Sequence, residues 1–257
     1  MISYELGPQK ALQNGAADTL LWEQGTIPSG SQVKAVSFVL TGANHDLDSI
    51  STIKFMMGGT EFVSFANDAQ LMALVNSVGK RAYLAAASAA FTIPFRNIYG
   101  WPLNLPMCGA PPNSPLSIQI VTDGTGSAVG TITPVFHLGP EVPANSYPVW
   151  VSQQLAAGTP SNTSFAITQE GLLYGFVIDE TNITALRFNY RGKDVFPFTS
   201  LAQINEVQDY WQGTTVTSPR TFYFPEPLPV VPGQTNLIVT ASGAVGQIIP
   251  LILKPYA

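Results

Sequence analysis

Apolar and polar residues alternate over Ile53, Phe55 and Met57, and again over Leu186, Phe188 and Tyr190. A period of two puts one set of side chains on a single face of a strand, so each run predicts a half-buried β-strand. Each run leads to a glycine, Gly59 or Gly192, and then to a second short stretch ending in Phe65 or Phe198. That is a hairpin pattern, in which glycine supplies the positive φ of the turn. Beyond the hairpin the period changes. Leu71, Leu74 and Val78 in one stretch, and Ile204, Val207 and Trp211 in the other, fall at i, i+3 and i+7, the apolar stripe of a short helix. Asn67 and Ser200 stand where an N-cap accepts an orphan backbone N–H, and Gly79 and Gly213 stand where such a helix stops.

The two stretches align without a gap, which predicts an internal duplication. Lys54 and Glu61 meet Arg187 and Asp194, and Ala69-Gln70 recurs as Ala202-Gln203. Upstream, Phe38-Val39-Leu40 matches Phe176-Val177-Ile178, with 43–48 as a loop longer than its counterpart. Downstream, 128–136 pairs with 244–252, placing Pro134 on Pro250, and Ile120-Val121-Thr122 echoes Ile238-Val239-Thr240. The first copy carries extra residues in the Pro- and Gly-rich stretch 97–115, expected to project or to bridge subunits. The organisation read from this is an N-terminal arm over 1–16, a first module over 17–138, a linker over 139–161 and a second module over 162–257. Residues 1–16 show no counterpart before the second module and too little apolar surface to fold alone. Short alternating segments, Gly/Pro punctuation and one helix per copy predict an all-β chain of antiparallel sandwiches or barrels.

Composition narrows the function. With 46% hydrophobic and 11% charged residues the chain is expected to be folded, with a surface poor in charge. Such a surface either packs against neighbours or is built from Ser, Thr, Asn and Gln. The net charge of −5 and eleven scattered Lys and Arg argue against specific nucleic-acid binding. The lone Cys108 excludes an intrachain disulfide and a cysteine zinc knuckle, and reads as a small buried residue. The start lacks the basic and apolar regions of a signal peptide. The apolar stretch 237–253 is broken by Gly243, Gly246, Gln247 and Pro250, so it reads as two strands and a turn in a soluble chain.

Candidate chemistry is sparse. His45 and His137 both lie in the first copy without an H-x-H pair, so a cupin-type metal centre is not expected. Asp46 and Asp48 share one loop and are the candidate oxygen ligands for a hard cation. Asp179 with Glu180, and Glu206 with Asp209, are further carboxylate pairs that read as solvated acids. No Ser-His-acid order, phosphate-cradling loop or dinucleotide fingerprint stands out, so no catalytic residue is assigned. Sequons begin at Asn162 and Asn182. Of Trp22, Trp101, Trp150 and Trp211, Trp101 is the best candidate for stacking on a sugar.

A strand, a glycine hairpin, a second strand ending in Phe and a capped helix, occurring twice over about 220 residues, resembles the double jelly-roll major capsid proteins. The compact length resembles those of corticovirus-type, membrane-containing tailless bacteriophages. The resemblance implies two tandem eight-stranded jelly-rolls, each with a short helix, and a structural, non-enzymatic role. It implies a homotrimer whose six barrels form a pseudo-hexameric capsomer. Its partners would be neighbouring capsomers, a vertex protein and an underlying lipid membrane, in an icosahedral virion assembled in the host cytoplasm. It also places the arm over 1–16 at the inner face of the shell. No cofactor is implied beyond calcium at subunit contacts in some members, and no ligand residue carries over. Two other functions are compatible with the residues: a carbohydrate-binding β-sandwich, and a two-jelly-roll glycan hydrolase with acids between its modules.

Overall fold

The computed structural model describes residues 3–23, 31–57, 59–79, 85–94, 116–140, 146–154, 163–179, 183–212, 219–241 and 246–255. The chain divides into two compact units between Val151 and Ser152. The first contains β1 (Ser3–Leu6), β2 (Lys10–Leu12), β3 (Thr19–Trp22), β4 (Ser31–Thr41), β5 (Ile50–Met57), β6 (Thr60–Phe65), α1 (Asp68–Gly79), β7 (Ala90–Pro94), β8 (Leu116–Thr122) and β9 (Gly130–Pro140). They form two antiparallel sheets, β1–β9–β4–β7 with β2 also on β9, and β3–β8–β5–β6. The first strands lie beside the last, and each sheet mixes early and late strands, which is the wrapped order of a jelly-roll. At the end of this unit β10 (Ser146–Val149) leads into Trp150, which exchanges backbone bonds with β6: its N–H donates to Phe62 (2.7 Å) and its carbonyl accepts from Ser64 (2.8 Å).

The second unit repeats the order with β11 (Gln153–Gln154), β12 (Thr163–Ala166), β13 (Leu172–Asp179), β14 (Ile183–Tyr190), β15 (Lys193–Phe198), α2 (Leu201–Gln212), β16 (Arg220–Pro229), β17 (Thr235–Ala241) and β18 (Gln247–Pro255). Here β11–β18–β13–β16 and β12–β17–β14–β15 are the hydrogen-bonded runs. Among the described residues the chain is therefore all-β with two short helices, as the pattern and the resemblance predicted.

The duplication holds at the level of single hydrogen-bonded pairs. Ile53 opposes Phe65 as Leu186 opposes Phe198, and Phe55 opposes Val63 as Phe188 opposes Phe196. Both hairpins carry the same bulge, after Phe55 and after Phe188. Gly59 (φ 81) and Gly192 (φ 78) close the turns in open space, so backbone conformation and not crowding requires glycine there. Phe38 opposes Pro134 as Phe176 opposes Pro250. Each barrel is filled by an equivalent aromatic cluster: Phe38 against Phe55 (6.4 Å) and Phe91 (5.3 Å), and Phe176 against Phe188 (6.1 Å) and Phe222 (5.5 Å). Burying one such ring contributes roughly 1.5–3 kcal/mol.

The helices start as expected. Asn67 Oδ1 accepts from the Gln70 N–H (2.9 Å), while Gln70 Oε1 reaches back to the Ala66 N–H (3.0 Å). Ser200 and Gln203 repeat the arrangement, with Gln203 Oε1 on the Thr199 N–H (2.9 Å). Two orphan donors are thereby satisfied at each helix start. Leu71, Leu74 and Ile204 are buried; the side chains of Val78 and Trp211, and all of Gly213, lie outside the described residues.

Three expectations need correction. Residues 1–16 are not an arm outside the barrel: Ser3–Leu6 and Lys10–Leu12 are its first, interrupted strand, paired to β9 from Ser3↔Leu138 to Leu12↔Gly130. Leu12 is buried, the Trp22 Nε1–H donates to the Pro8 carbonyl (2.7 Å), and Lys10 Nζ lies 5.6 Å from the Trp22 ring centroid. This segment does have a counterpart, within the stretch read as a linker. Lys10↔Ile132 and Ala11↔Thr131 recur as Gln153↔Ile248 and Gln154↔Gln247. Finally, Ile120 corresponds to Val239 and not to Ile238, since Ile53↔Ile120 recurs as Leu186↔Val239. A one-residue slip exchanges the two faces of a strand, and it is Ile120 and Val239 that are both buried. The stretch 97–115, with Trp101 and Cys108, lies outside the described residues.

Candidate functional site

After β4 the chain turns through Gly42 (φ 102) and Asn44 (φ 58), which brings His45 into the interior. The His45 Nε2 lies 2.6 Å from the Ala128 carbonyl. A carbonyl only accepts, so the hydrogen is on Nε2, and the buried Nδ1 has no partner. The ring fills a slot walled by glycine: a Cβ at Gly42 or Gly130 would come within 2.7 Å of it, and one at Gly126 would overlap it. His45 clasps the loop before β9 to the loop after β4. The three glycines were missed by sequence reasoning, because nothing in the linear order ties 126 and 130 to 42 and 45.

Asp46 is half-buried and Asp48 exposed; the Asp46 side chain makes no cap bond to the short turn Leu47–Ser49. Among the described residues no group of three or more His, Cys, Asp or Glu side chains gathers around a point that a metal would occupy. Glu206 and Asp209 are exposed on α2 and Asp179 is half-buried at the end of β13, on separate elements; Glu180, Asn162 and Asn182 lie outside the described residues. Trp22 and Trp150 are buried and present no face to a sugar.

His137 is paired with Ser37, Nε2 to Oγ at 2.7 Å, and Ser37 Oγ also meets Thr92 Oγ1 at 2.7 Å. A serine beside a histidine suggests a nucleophile and its base, but the surroundings do not. The pair lies across the middle of a sheet whose β4 main chain is engaged by β9 and β7, leaving no free N–H pair beside Ser37 to hold an oxyanion. The ring also packs edge-on against Tyr4 (4.9 Å, 73°). This is a cross-strand ladder over β7, β4, β9 and β1.

A second polar cluster had only a weak sequence signal. Arg220 is buried at the start of β16, where its Nη1 donates to Asn205 Oδ1 (2.6 Å) and Gln208 Oε1 (3.1 Å) on α2. Burial pushes the guanidinium below its ordinary pKa. Gln208 follows Ile204 by one helical turn, on the buried stripe, and a polar residue there calls for a partner. The cluster fastens α2 to its sheet.

What remains is the surface itself. The outer face of β1–β9–β4–β7 carries the Thr92–Ser37–His137 ladder, hydrogen bonds from Gln9 to Thr131 and Thr133, and exposed Tyr4, Leu6 and Val39. The Lys34 stem packs beside Gly139 of β9 and is almost wholly buried. The paired ions Lys54–Glu61 (3.1 Å) and Arg187–Asp194 (2.6 Å) occupy equivalent places on the other sheet of each unit. Hydrogen bonds from Arg187 and then Asn189 hold the exposed Asp194 carboxyl below its usual pKa.

No sequence-family model and no curated protein sequence matches the chain. Solved structures do. The major capsid protein of bacteriophage PM2 superposes with a TM-score of 0.76 at 13% identity, over 100% of this chain and 98% of that one. The major capsid protein of Sulfolobus turreted icosahedral virus gives 0.64 at 13% identity, over 98% and 96%. The capsid of the virus PBCV-1 gives 0.56 at 11% identity, over 98% and 94%. With both units matched end to end, the chain has the double jelly-roll fold of these viral major capsid proteins.

Proposed function

We propose that this protein is a viral major capsid protein. The observation that supports this reading most directly is coextension: two jelly-rolls in the same order account for nearly the whole of this chain and of its structural neighbours. The low charge of the chain suits a subunit that spends its life against other subunits. Three copies with cyclic symmetry present six barrels in near-sixfold order, so a homotrimer forms a pseudo-hexameric capsomer from one repeated interface. Capsomers of this kind tile an icosahedral shell in the virion, with a separate vertex protein at the fivefold positions and a lipid membrane beneath. Assembly takes place in the host cytoplasm. Its role is structural, and no turnover of glycan or peptide is expected.

Native mass measurement with electron microscopy of the purified protein tests this. The expected result is a trimer with a hexagonal outline. A monodisperse monomer at high concentration, or saturable binding or hydrolysis of glycans by that monomer, overturns the reading.

A further inference from the structure

The junction between helix and sheet is closed by different chemistry in the two copies. Asn205 and Gln208 on α2 stand where α1 has Met72 and Val75. Since Phe38↔Phe91 recurs as Phe176↔Phe222, Arg220 stands where the first copy has Ala89. Val75 is buried, so an apolar residue suffices at this place in the fold. The second copy instead buries Gln208 (1% exposed) and the cation Arg220 (2% exposed).

Arg220 is held through one nitrogen. Its Nη1 donates to Asn205 Oδ1 (2.6 Å) and to Gln208 Oε1 (3.1 Å), both uncharged. The Arg220 Nε–H and the Gln208 Nε2, both buried, have no acceptor among the described residues. Neither described ion pair includes Arg220. Burial depresses its pKa with no neighbouring charge opposing the shift. A guanidinium keeps its proton in proteins, and a buried charge without a partner is strongly destabilising.

We propose that Arg220, with the amide of Gln208, binds a small monovalent anion. The unpaired groups decide the class of ligand. Both are N–H donors, so the partner accepts; one belongs to a cation, so the partner is negative. Water meets the first requirement and not the second. Side chains this enclosed admit a halide or an oxyanion of similar size, and exclude a nucleotide or a polymer. The site lies within the second unit and does not depend on the capsid reading.

An ion bound only by the folded state appears as stability. The test is calorimetry of the full-length chain as sodium chloride replaces sodium gluconate, too bulky for this cluster, at constant ionic strength. From about 10 mM to about 500 mM chloride, the unfolding constant of the second unit should fall about threefold or more. Gln208→Glu places a carboxylate beside the guanidinium, so the chain then carries its own anion. That variant should lose the chloride dependence and be at least as stable in gluconate as the wild type. Arg220→Met should lose the dependence as well. In wild-type crystals grown with sodium bromide, an anomalous peak should stand within hydrogen-bonding reach of Arg220 Nε, a readout that needs no variant. A wild type equally stable in both salts, or no bromide peak there, overturns the proposal and leaves water as the acceptor. A chloride dependence undiminished in either variant means an adventitious ion only, and overturns it too.

Discussion

β9 and β18 are one strand written twice, and they differ on one side only. Facing the barrel interiors, Ile132, Pro134 and Phe136 correspond to Ile248, Pro250 and Ile252, and all six are buried. On the outer side, Thr131, Thr133, Val135 and His137 become Gln247, Ile249, Leu251 and Leu253. The first strand alternates buried with half-buried positions, while the second is buried continuously from Ile248 to Leu253. A barrel interior must be filled to crystal-like density whatever lies outside it, so the inner set resists change. The outer set answers only to what covers it, and a strand covered on both faces reads as an unbroken apolar run. Duplication fixed the fold; divergence of four outward positions distinguishes what each copy touches.

The largest expected effect comes from stripping β9 of its outer partner. Deleting residues 2–12 removes β1, β2 and buried Leu12, and takes the acceptor from the buried Trp22 Nε1–H. Losing Leu12 burial and leaving one buried donor unpaired costs about 4 kcal/mol together, a large part of a domain's stability. The first unit should lose its cooperative unfolding transition while the second keeps its own, read by calorimetry. An unchanged first transition would mean that this strand is not integral to the barrel.

Next in size is a matched pair of charges. Leu251→Asp places a carboxylate on the covered face of β18 and should destabilise the second unit by about 4 kcal/mol or more. Val135→Asp puts the same group at the equivalent place on half-exposed β9 and should cost the isolated monomer under about 1 kcal/mol. Denaturant midpoints of the two variants check the comparison, and equal losses would break it.

The features legible in the sequence were those repeated locally. Alternation, a turn glycine and a capping residue recur at fixed spacing in both copies, so the hairpins, the helices and the match of Phe38 to Phe176 could be placed. What failed was non-local. β1 points Tyr4 and Leu6 outward, so its apolar residues did not signal a core strand, and only pairing with β9 orders it. The slip at β17 came from matching identities where burial demanded Leu237 and Val239 opposite Phe188 and Leu186. Two consecutive inward positions at period two would have corrected it. The His45 slot depends on three glycines from two loops, a contact that no local pattern encodes.

Helix starts sharpen the comparison at smaller scale. The buried Gln70 and exposed Gln203 make the same reach-back bond. Removing a buried partner leaves the freed groups unsolvated, whereas water replaces an exposed one. Gln70→Ala should therefore cost about 1–2 kcal/mol, and Gln203→Ala only a few tenths of that on the same reasoning. Similarly, Asn67→Ala should cost about 1 kcal/mol, more than Ser200→Ala, whose cap bond is 3.4 Å against 2.9 Å. Reversal of either order, measured by chemical denaturation, would mean that the equivalent helices are held by different contacts.

The smallest effect separates the two surface ion pairs. Arg187 sends both Nε (3.1 Å) and Nη2 (2.6 Å) to Asp194, with Asn189 Nδ2 on the other oxygen (3.2 Å), while Lys54 meets Glu61 through Nζ alone (3.1 Å). A guanidinium fork fits a carboxylate in a way that an ammonium cannot. The Asp194 carboxyl is depressed in the folded state, so its contribution to stability is present above the unfolded pKa of about 3.9 and disappears as pH falls through the lower folded value. Because the group lies at the surface, the change belongs to its titration curve more than to the melting temperature. By carboxyl-detected NMR, the Asp194 midpoint should rise towards the ordinary aspartate value in Arg187→Met. In Arg187→Lys, which restores the residue of the first copy, it should stop between the two, since the charge returns without the fork. A midpoint in Arg187→Lys equal to that of the wild type would show that charge alone, common to both copies, sets the shift.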